Sequence, residues 1–212
     1  MTISNITSKK DLAMILSAIE DFKEPIAELE QYITPSEIAS ELLWTALMDG
    51  NIRNKKVADM GCGTGIFSFG AALLEAESVI GYDIDNKALE IAKKNMEIVK
   101  GTKIPIKDIS FVKKDIRDIN ERFDTVLMNP PFGVQKKGAD KEFLEKAFKI
   151  SKNVYSIHKF GNEEFLEKFA KDNRFRPFRI TEKTINLKPM MHFHKEFKHP
   201  VKVMLWKFSK QA

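Results

Sequence analysis

The sequence predicts an α/β fold: a mostly parallel seven-stranded sheet with an antiparallel hairpin at one edge and helices at the N-terminus. Three observations carry this expectation. From Lys56 onward, short apolar runs alternate with longer amphipathic ones, the pattern of parallel strands covered by helices on both faces. A turn holding three glycines, Asp59-Met60-Gly61-Cys62-Gly63-Thr64-Gly65, joins the first of those runs to a helical stretch. The last third, Phe175–Leu187 and Val201–Phe208, reads as two longer strands joined by a basic, histidine-containing loop.

Taken in order, Ser8–Phe22 is expected to be an amphipathic helix, because Leu12, Ile15, Leu16, Ile19 and Phe22 recur at helical spacing. The next helix starts after Thr34. Pro35 takes its first position, and Thr34 with Glu37 forms a capping box that satisfies amides at the helix end. Strands are predicted at Val57–Met60, Ser78–Asp83, Ile109–Lys113, Thr125–Met128 and Val154–His158. Helices are predicted near Ile66–Glu75, Asn86–Lys100, Lys141–Ile150 and Glu163–Asp172. Trp44 and Trp206 are assigned to the core, one on a helix and one on a strand. The chain has 212 residues and neither internal repeats nor Gly/Ser-rich linkers, which predicts one domain, 1–212. Within it, 1–50 are expected to form a helical lid and 51–212 the α/β core.

The composition, 43% hydrophobic and 31% charged, is that of a globular chain. No apolar run approaches the roughly 18 residues needed to cross a bilayer, so no membrane role is expected. Met1 to Lys10 lacks the apolar stretch of a signal peptide, and the expected location is cytoplasmic. Cys62 is the single cysteine, which excludes an intrachain disulfide and a cysteine-rich metal site. The net charge of +5 would favour a polyanionic partner through counterion release, but on charge alone a solvated lysine-rich surface is the preferred reading.

The glycine turn follows the first predicted strand, where an open α/β sheet forms its ligand crevice. Its spacing is G-x-G-x-G, and Ile66 stands where a dinucleotide fingerprint needs its third glycine, so the turn points away from NAD. Asp83 closes the next strand and is placed to accept hydrogen bonds from both hydroxyls of a ribose. Asp85 reads as the cap of the helix beginning at Asn86. Asp115 either accepts from an adenine amino group or is a solvated turn acid. Glycine turn and acid together point to an adenosine-bearing cofactor.

Asn129-Pro130-Pro131-Phe132 directly follows the strand Thr125–Met128. The two prolines fix the backbone and remove two donors, which leaves carbonyls free as acceptors. The amide oxygen of Asn129 and the carbonyl of Pro130 can then bind both hydrogens of an amine. An exocyclic amine on adenine has its lone pair conjugated into the ring. Accepting its hydrogens draws the nitrogen towards tetrahedral geometry and aims the lone pair at a methyl donor. Phe132 would stack on the flat base. The competing reading is a rigid strand-to-loop turn with a buried phenylalanine.

These motifs resemble those of the class I S-adenosylmethionine-dependent methyltransferases, whose amino-methylating branch carries an Asn/Asp-Pro-Pro-aromatic motif. More closely, the chain resembles the methyltransferase-like protein five family of small ribosomal RNA adenine-N6 methyltransferases and its archaeal relatives. The similarity spans Leu29-Glu30-Gln31-Tyr32 with Thr34, Asp59 to Gly65, Asp83-Ile84-Asp85, Met128 to Gly133, Tyr155 to Lys159 and Phe193-His194-Lys195.

The resemblance implies a Rossmann-like fold and S-adenosyl-L-methionine as cofactor, with N6-methylation of an adenine in small-subunit ribosomal RNA as the reaction. It implies Asn129, Pro130, Pro131 and Phe132 as the catalytic motif. It places Gln31, Thr34, Asp59, Gly61, Gly63, Thr64, Gly65, Ile66, Asp83, Asp115, Ile116 and Asn129 at cofactor positions. It also implies a small zinc-binding activator subunit on the edge of the third strand, near Ile104, Ile106, Ile109 and Phe111; Lys107 and Asp108 are charges that would instead prevent pairing. Lys136, Lys137, His194 and Lys195 are candidate RNA contacts that position the substrate without reading its bases. No metal site is expected. The same motif serves protein glutamine-N5 and DNA adenine methylation, and a non-catalytic RNA-binding protein could keep the fold; intact Asn129 to Phe132 argues against the last.

Overall fold

A computed structural model describes residues 5–22, 25–133, 135, 138–187 and 199–211. After two N-terminal helices, α1 (Lys9–Leu16) and α2 (Ser36–Met48), the chain runs β1 (Lys56–Met60), α3 (Ile66–Leu73), β2 (Ser78–Asp83), α4 (Asn86–Gly101) and β3 (Asp108–Lys113). It continues through β4 (Phe123–Met128), α5 (Ala139–Ile150), β5 (Ser151–Lys159), α6 (Glu163–Asp172), β6 (Phe175–Leu187) and β7 (His199–Lys210). The described residues form one sheet in the order β3-β2-β1-β4-β5-β7-β6. β7 runs antiparallel to both β5 and β6, and the remaining pairings are parallel. The Rossmann-like architecture and its antiparallel edge hairpin are therefore as the sequence predicts.

Alternation along each strand sends successive side chains to opposite faces. On one face Val57, Val79, Leu127, Tyr155 and Leu205 pack against Leu12, Leu16, Leu42, Leu43 and Phe69. On the other, Ala58, Met60, Val126, Met128, Trp206 and Phe208 pack against Leu144, Phe148 and Leu166. Trp206 is fully buried, whereas Trp44 packs only partly buried against the first cluster. No described helix is long and apolar enough to cross a membrane.

Two N-terminal expectations need correction. Helix α1 stops at Leu16, well short of Phe22. The buried Asn95 explains why: its side chain accepts from the Glu20 N–H and donates to the Glu20 carbonyl, both at 2.9 Å, which occupies backbone groups a continuing helix would need. The start of α1 has its own capping box, Ser8 with Asp11. The capping box expected at Thr34 and Glu37 is absent. Pro35 is the N-cap and no side chain caps the helix, because the Thr34 hydroxyl instead accepts from Asn129 Nδ2 at 2.9 Å.

The position of α2 matters because the segment leading into it covers the crevice described below. Its Leu43 is seated on α3 at Gly70, where an added Cβ would come within 2.2 Å of a Leu43 methyl carbon. Gly70→Val is expected to lower the unfolding free energy, read by urea titration, by about 1–3 kcal/mol through overpacking. Combined with Leu43→Ala, it should cost less than the sum of the two single substitutions by about 0.5–3 kcal/mol. Strict additivity of the two changes would show that this contact does not hold α2 on α3.

Candidate active site

The strand order reverses between β1 and β4, and their register sets Met60 beside Met128. The glycine turn and the Asn129 motif therefore leave the sheet side by side, at the switch point where open α/β sheets bind ligands. A cavity of about 530 Å³ opens there, within the usual size range of small-molecule sites. The N-terminal segment through Gln31 and Thr34, the glycine turn, Asp83-Ile84, the stretch after β3 and Asn129 line it.

The turn has the backbone its sequence requires. Gly61, Gly63 and Gly65 all adopt positive φ. At Gly63 (φ 53°) an added Cβ would lie 2.9 Å from the Phe22 ring, and at Gly65 (φ 95°) 2.8 Å from Phe69. The Gly63 N–H donates to Asp83 Oδ2 at 2.8 Å, and Asp83 Oδ1 accepts from the Asp85 N–H at 2.9 Å. The Asp83 carboxylate thus ties the glycine turn to the turn after β2 while lining the cavity, and burial raises its pKa above the usual carboxylate value. Asp85 caps α4 by accepting from the Lys87 N–H, as predicted, and its second oxygen accepts from Gln31 Nε2 at 2.8 Å.

The candidate cofactor positions divide by location. Gln31, Thr34, Gly61, Gly63, Thr64, Ile66, Asp83, Asp115, Ile116 and Asn129 line the cavity. Asp59 is 1% exposed and lies outside that lining; its Oδ2 accepts from the Ser68 N–H at 2.9 Å and hydroxyl at 2.6 Å, holding the first turn of α3 to β1. Gly65 is the N-cap of α3. The Asp115 carboxylate accepts from Arg117 Nε at 3.0 Å and Nη2 at 2.7 Å and also caps the short turn Ile116–Asp118. Both of its oxygens are engaged within its own loop.

At the motif, Asn129 Nδ2 donates to Thr34 Oγ1, which orients the amide so that Oδ1 remains an acceptor. Oδ1 and the Pro130 carbonyl converge on a single point, occupied by the Tyr32 hydroxyl at 3.3 and 3.2 Å. The Tyr32 ring packs on Phe132 with centroids 4.8 Å apart. Lys136, Lys137, His194 and Lys195 lie outside the described residues. Cys62 is buried, and burial pushes its thiol well above the usual range, which fits a loop residue and not a nucleophile. Among the described residues no group of three or more His, Cys, Asp or Glu is placed to hold a metal ion.

Sequence reasoning missed the reach of Tyr32 to Asn129 and the anchoring of Glu30, whose carboxylate accepts from the Gln135 N–H at 2.7 Å. Both residues fall in the Leu29–Tyr32 stretch that the family resemblance singled out, but no local pattern announces a contact across 97 positions.

Asp59 yields a pH prediction. Burial raises its carboxyl to about 7, against the lowering effect of the Ser68 bonds, and Oδ1 has no hydrogen-bond partner. Between the unfolded value of about 4 and pH 7, the folded chain therefore holds a proton that the unfolded chain has lost. The contribution of this group to stability falls as pH rises through that window. Asp59→Asn removes the titration, so the stability of the variant relative to wild type should climb from about pH 4 to pH 7 and then level off, by a few kcal/mol at most. His158, whose imidazole burial holds down to about 3, has the opposite slope below about pH 6.5 but cancels in the difference. Urea midpoints across this range check the prediction; a flat difference would place the Asp59 pKa near its unfolded value.

Comparison with known proteins matches the same elements. The family model described as the methyltransferase small domain covers residues 35–156. The chain is 36% identical to the rRNA N(6)-adenosine-methyltransferase METTL5 of Danio rerio, over 94% of this chain and 98% of that protein. It is 30% identical to the Mettl5 enzyme of Drosophila melanogaster, over 94% and 95% respectively. Among solved structures, a candidate RNA methyltransferase from Pyrococcus horikoshii superposes with a TM-score of 0.87 at 41% identity, covering 98% of this chain and all of that one. With the switch-point crevice, the glycine turn and the Asn-Pro-Pro-Phe motif in their expected places, the chain belongs to the METTL5 branch of the small-domain methyltransferases.

Proposed function

We propose that this protein transfers a methyl group from S-adenosylmethionine to the N6 amine of an adenine in ribosomal RNA, with small-subunit RNA as the carrier of the target. The observation that carries the reading is the convergence of two neutral acceptors, Asn129 Oδ1 and the Pro130 carbonyl, on one point beside the glycine-turn cavity and against Phe132.

The residues present fit the cofactor. Asp83 offers a carboxylate for the ribose hydroxyls, and Ile66, Ile84 and Ile116 give apolar walls for an adenine ring. Glycine at 61 and 63 lets the backbone approach without a Cβ. Asp59 and Gly65 act from behind, by holding the turn. When bound, the cofactor supplies an electrophilic methyl group on a cationic sulfur. The chain's own residues do the rest. Asn129 and Pro130 each accept one hydrogen of the amine, so the nitrogen gives up conjugation with the ring and its lone pair becomes available. Thr34 keeps the Asn129 amide from flipping. Phe132 holds the base plane, and orientation supplies much of the acceleration. The nitrogen is cationic once methylated, so its proton passes to water without a strong base.

A target adenine inside a duplex would have to be unstacked, which favours a loop or single strand. Lys136, Lys137, His194 and Lys195 are assigned to the RNA backbone on sequence grounds. The division into a 1–50 lid and a 51–212 core belongs to the same reading, as does a small zinc-binding activator on the β3 edge. Ile104, Ile106, Ile109 and Phe111 pack against this chain's own core, so such a partner would use the β3 backbone more than those side chains.

Labelled transfer to unmodified small-subunit ribosomal RNA, followed by nucleoside mass spectrometry, should yield N6-methyladenosine. Asn129→Ala should lose on the order of a hundredfold or more in kcat while cofactor affinity stays within about threefold. Full transfer by that variant would remove Asn129 from the mechanism.

A further inference from the structure

The Tyr32 phenol occupies the point on which the two acceptors of the motif converge. Its hydroxyl donates to Asn129 Oδ1 at 3.3 Å and to the Pro130 carbonyl at 3.2 Å, so one proton is shared between two acceptors. Its ring lies against Phe132. A planar six-membered ring bearing a polar hydrogen thus already sits where the proposed reaction puts a planar ring bearing an amine. We infer that Tyr32 is an internal stand-in for the target base: it fills the acceptor site until a flipped adenine displaces it, and its hold sets the apparent affinity for RNA. The inference rests on the adenine reading above.

The chemistry favours the exchange. O–H···O bonds are commonly about 2.7–2.8 Å long, so both Tyr32 contacts are stretched. An amine brings two hydrogens, one for each acceptor, in place of the single shared proton. A ring without such hydrogens would displace the phenol and leave both acceptors unpaired, which disfavours it as a ligand. The phenol does not leave by ionising. Burial, and after it the Glu30 carboxylate, push its pKa well above the usual tyrosine range, so it stays a hydrogen-bond donor at physiological pH.

The surrounding segment holds the phenol in place. Gln31 is bonded to Asp85 and to the Ile26 N–H. Glu30, in left-handed backbone conformation with φ 50°, is bonded to the Gln135 N–H. With both preceding residues anchored, displacement falls to the Tyr32 side chain. The 4.8 Å spacing of the rings leaves no room for a base between them, so phenol and base are alternatives and not layers of one stack. Self-occupancy raises the apparent dissociation constant in inverse proportion to the fraction of molecules with an open site. It acts on substrate entry, not on transfer, and belongs in KM more than in kcat.

Tyr32→Phe keeps the ring and removes the proton. Steady-state methylation of an RNA oligonucleotide carrying the target adenosine, at saturating S-adenosylmethionine, should show KM for RNA falling on the order of threefold to tenfold, with kcat within about twofold of wild type. Tyr32→Ala should lower KM further, with cofactor titration reporting that the variant is folded. A purely structural Tyr32 would leave KM unchanged or raise it, and that result overturns the inference while the wild type still forms N6-methyladenosine. A wild type that binds S-adenosylmethionine and forms no N6-methyladenosine overturns the adenine reading, and the inference with it.

Discussion

The parallel pairing of β1 with β4 is the constraint on which the site depends. These strands lie far apart in the chain, yet their register sets Met60 beside Met128 and so brings Gly61 and Asn129 out of the sheet together. Each strand needs the sequence it has. Both are buried over most of their length, and their successive residues feed two separate apolar clusters on the two faces. A slip of one residue would exchange those faces and would also shift the glycine turn relative to the Asn129 motif. Core packing and the juxtaposition of the two motifs are therefore set by one register.

The segment before α2 completes what the sheet begins. It reaches three separate parts of the molecule through side chains: Gln31 meets the cap of α4, Glu30 the loop after the motif, and Thr34 the motif itself. Cofactor cavity and acceptor point consequently share one cover.

Much of this is legible in the sequence. The strands and most helices follow from period and length, and α6 and β6 occur over the predicted ranges. The glycine turn and Asn129 motif are local signals whose backbone demands are written in their residue types. What stayed hidden was long-range choice by polar side chains. Thr34, Pro35 and Glu37 satisfy every local criterion for a capping box, yet the threonine hydroxyl is committed to Asn129, 95 positions away. Apolar spacing carries α1 to Phe22, but Asn95 captures the Glu20 backbone and ends the helix earlier. Asp115 had two open readings, and its pairing with Arg117 rests on loop geometry that spacing does not encode. Hydrophobic period is additive along a sequence; the partner of a single hydroxyl or amide is not.

Charge is distributed in a way the net value conceals. The chain is +5 overall, but the cavity lining carries seven acidic side chains and two basic ones. Arg117 answers Asp115, which leaves an acidic excess around Asp83 and Glu30. A cavity of that sign stabilises a cationic sulfonium more than the neutral thioether left after transfer, so part of the attraction ends when the methyl group departs. The two acceptors that meet the Tyr32 hydroxyl are neutral, an amide and a carbonyl, and add no charge beside Asp83. The basic excess must lie outside the cavity, where it suits a polyanion and acts through salt-sensitive contacts. Opposite signs inside and outside allow one small domain to hold a cation and an RNA at the same reaction point.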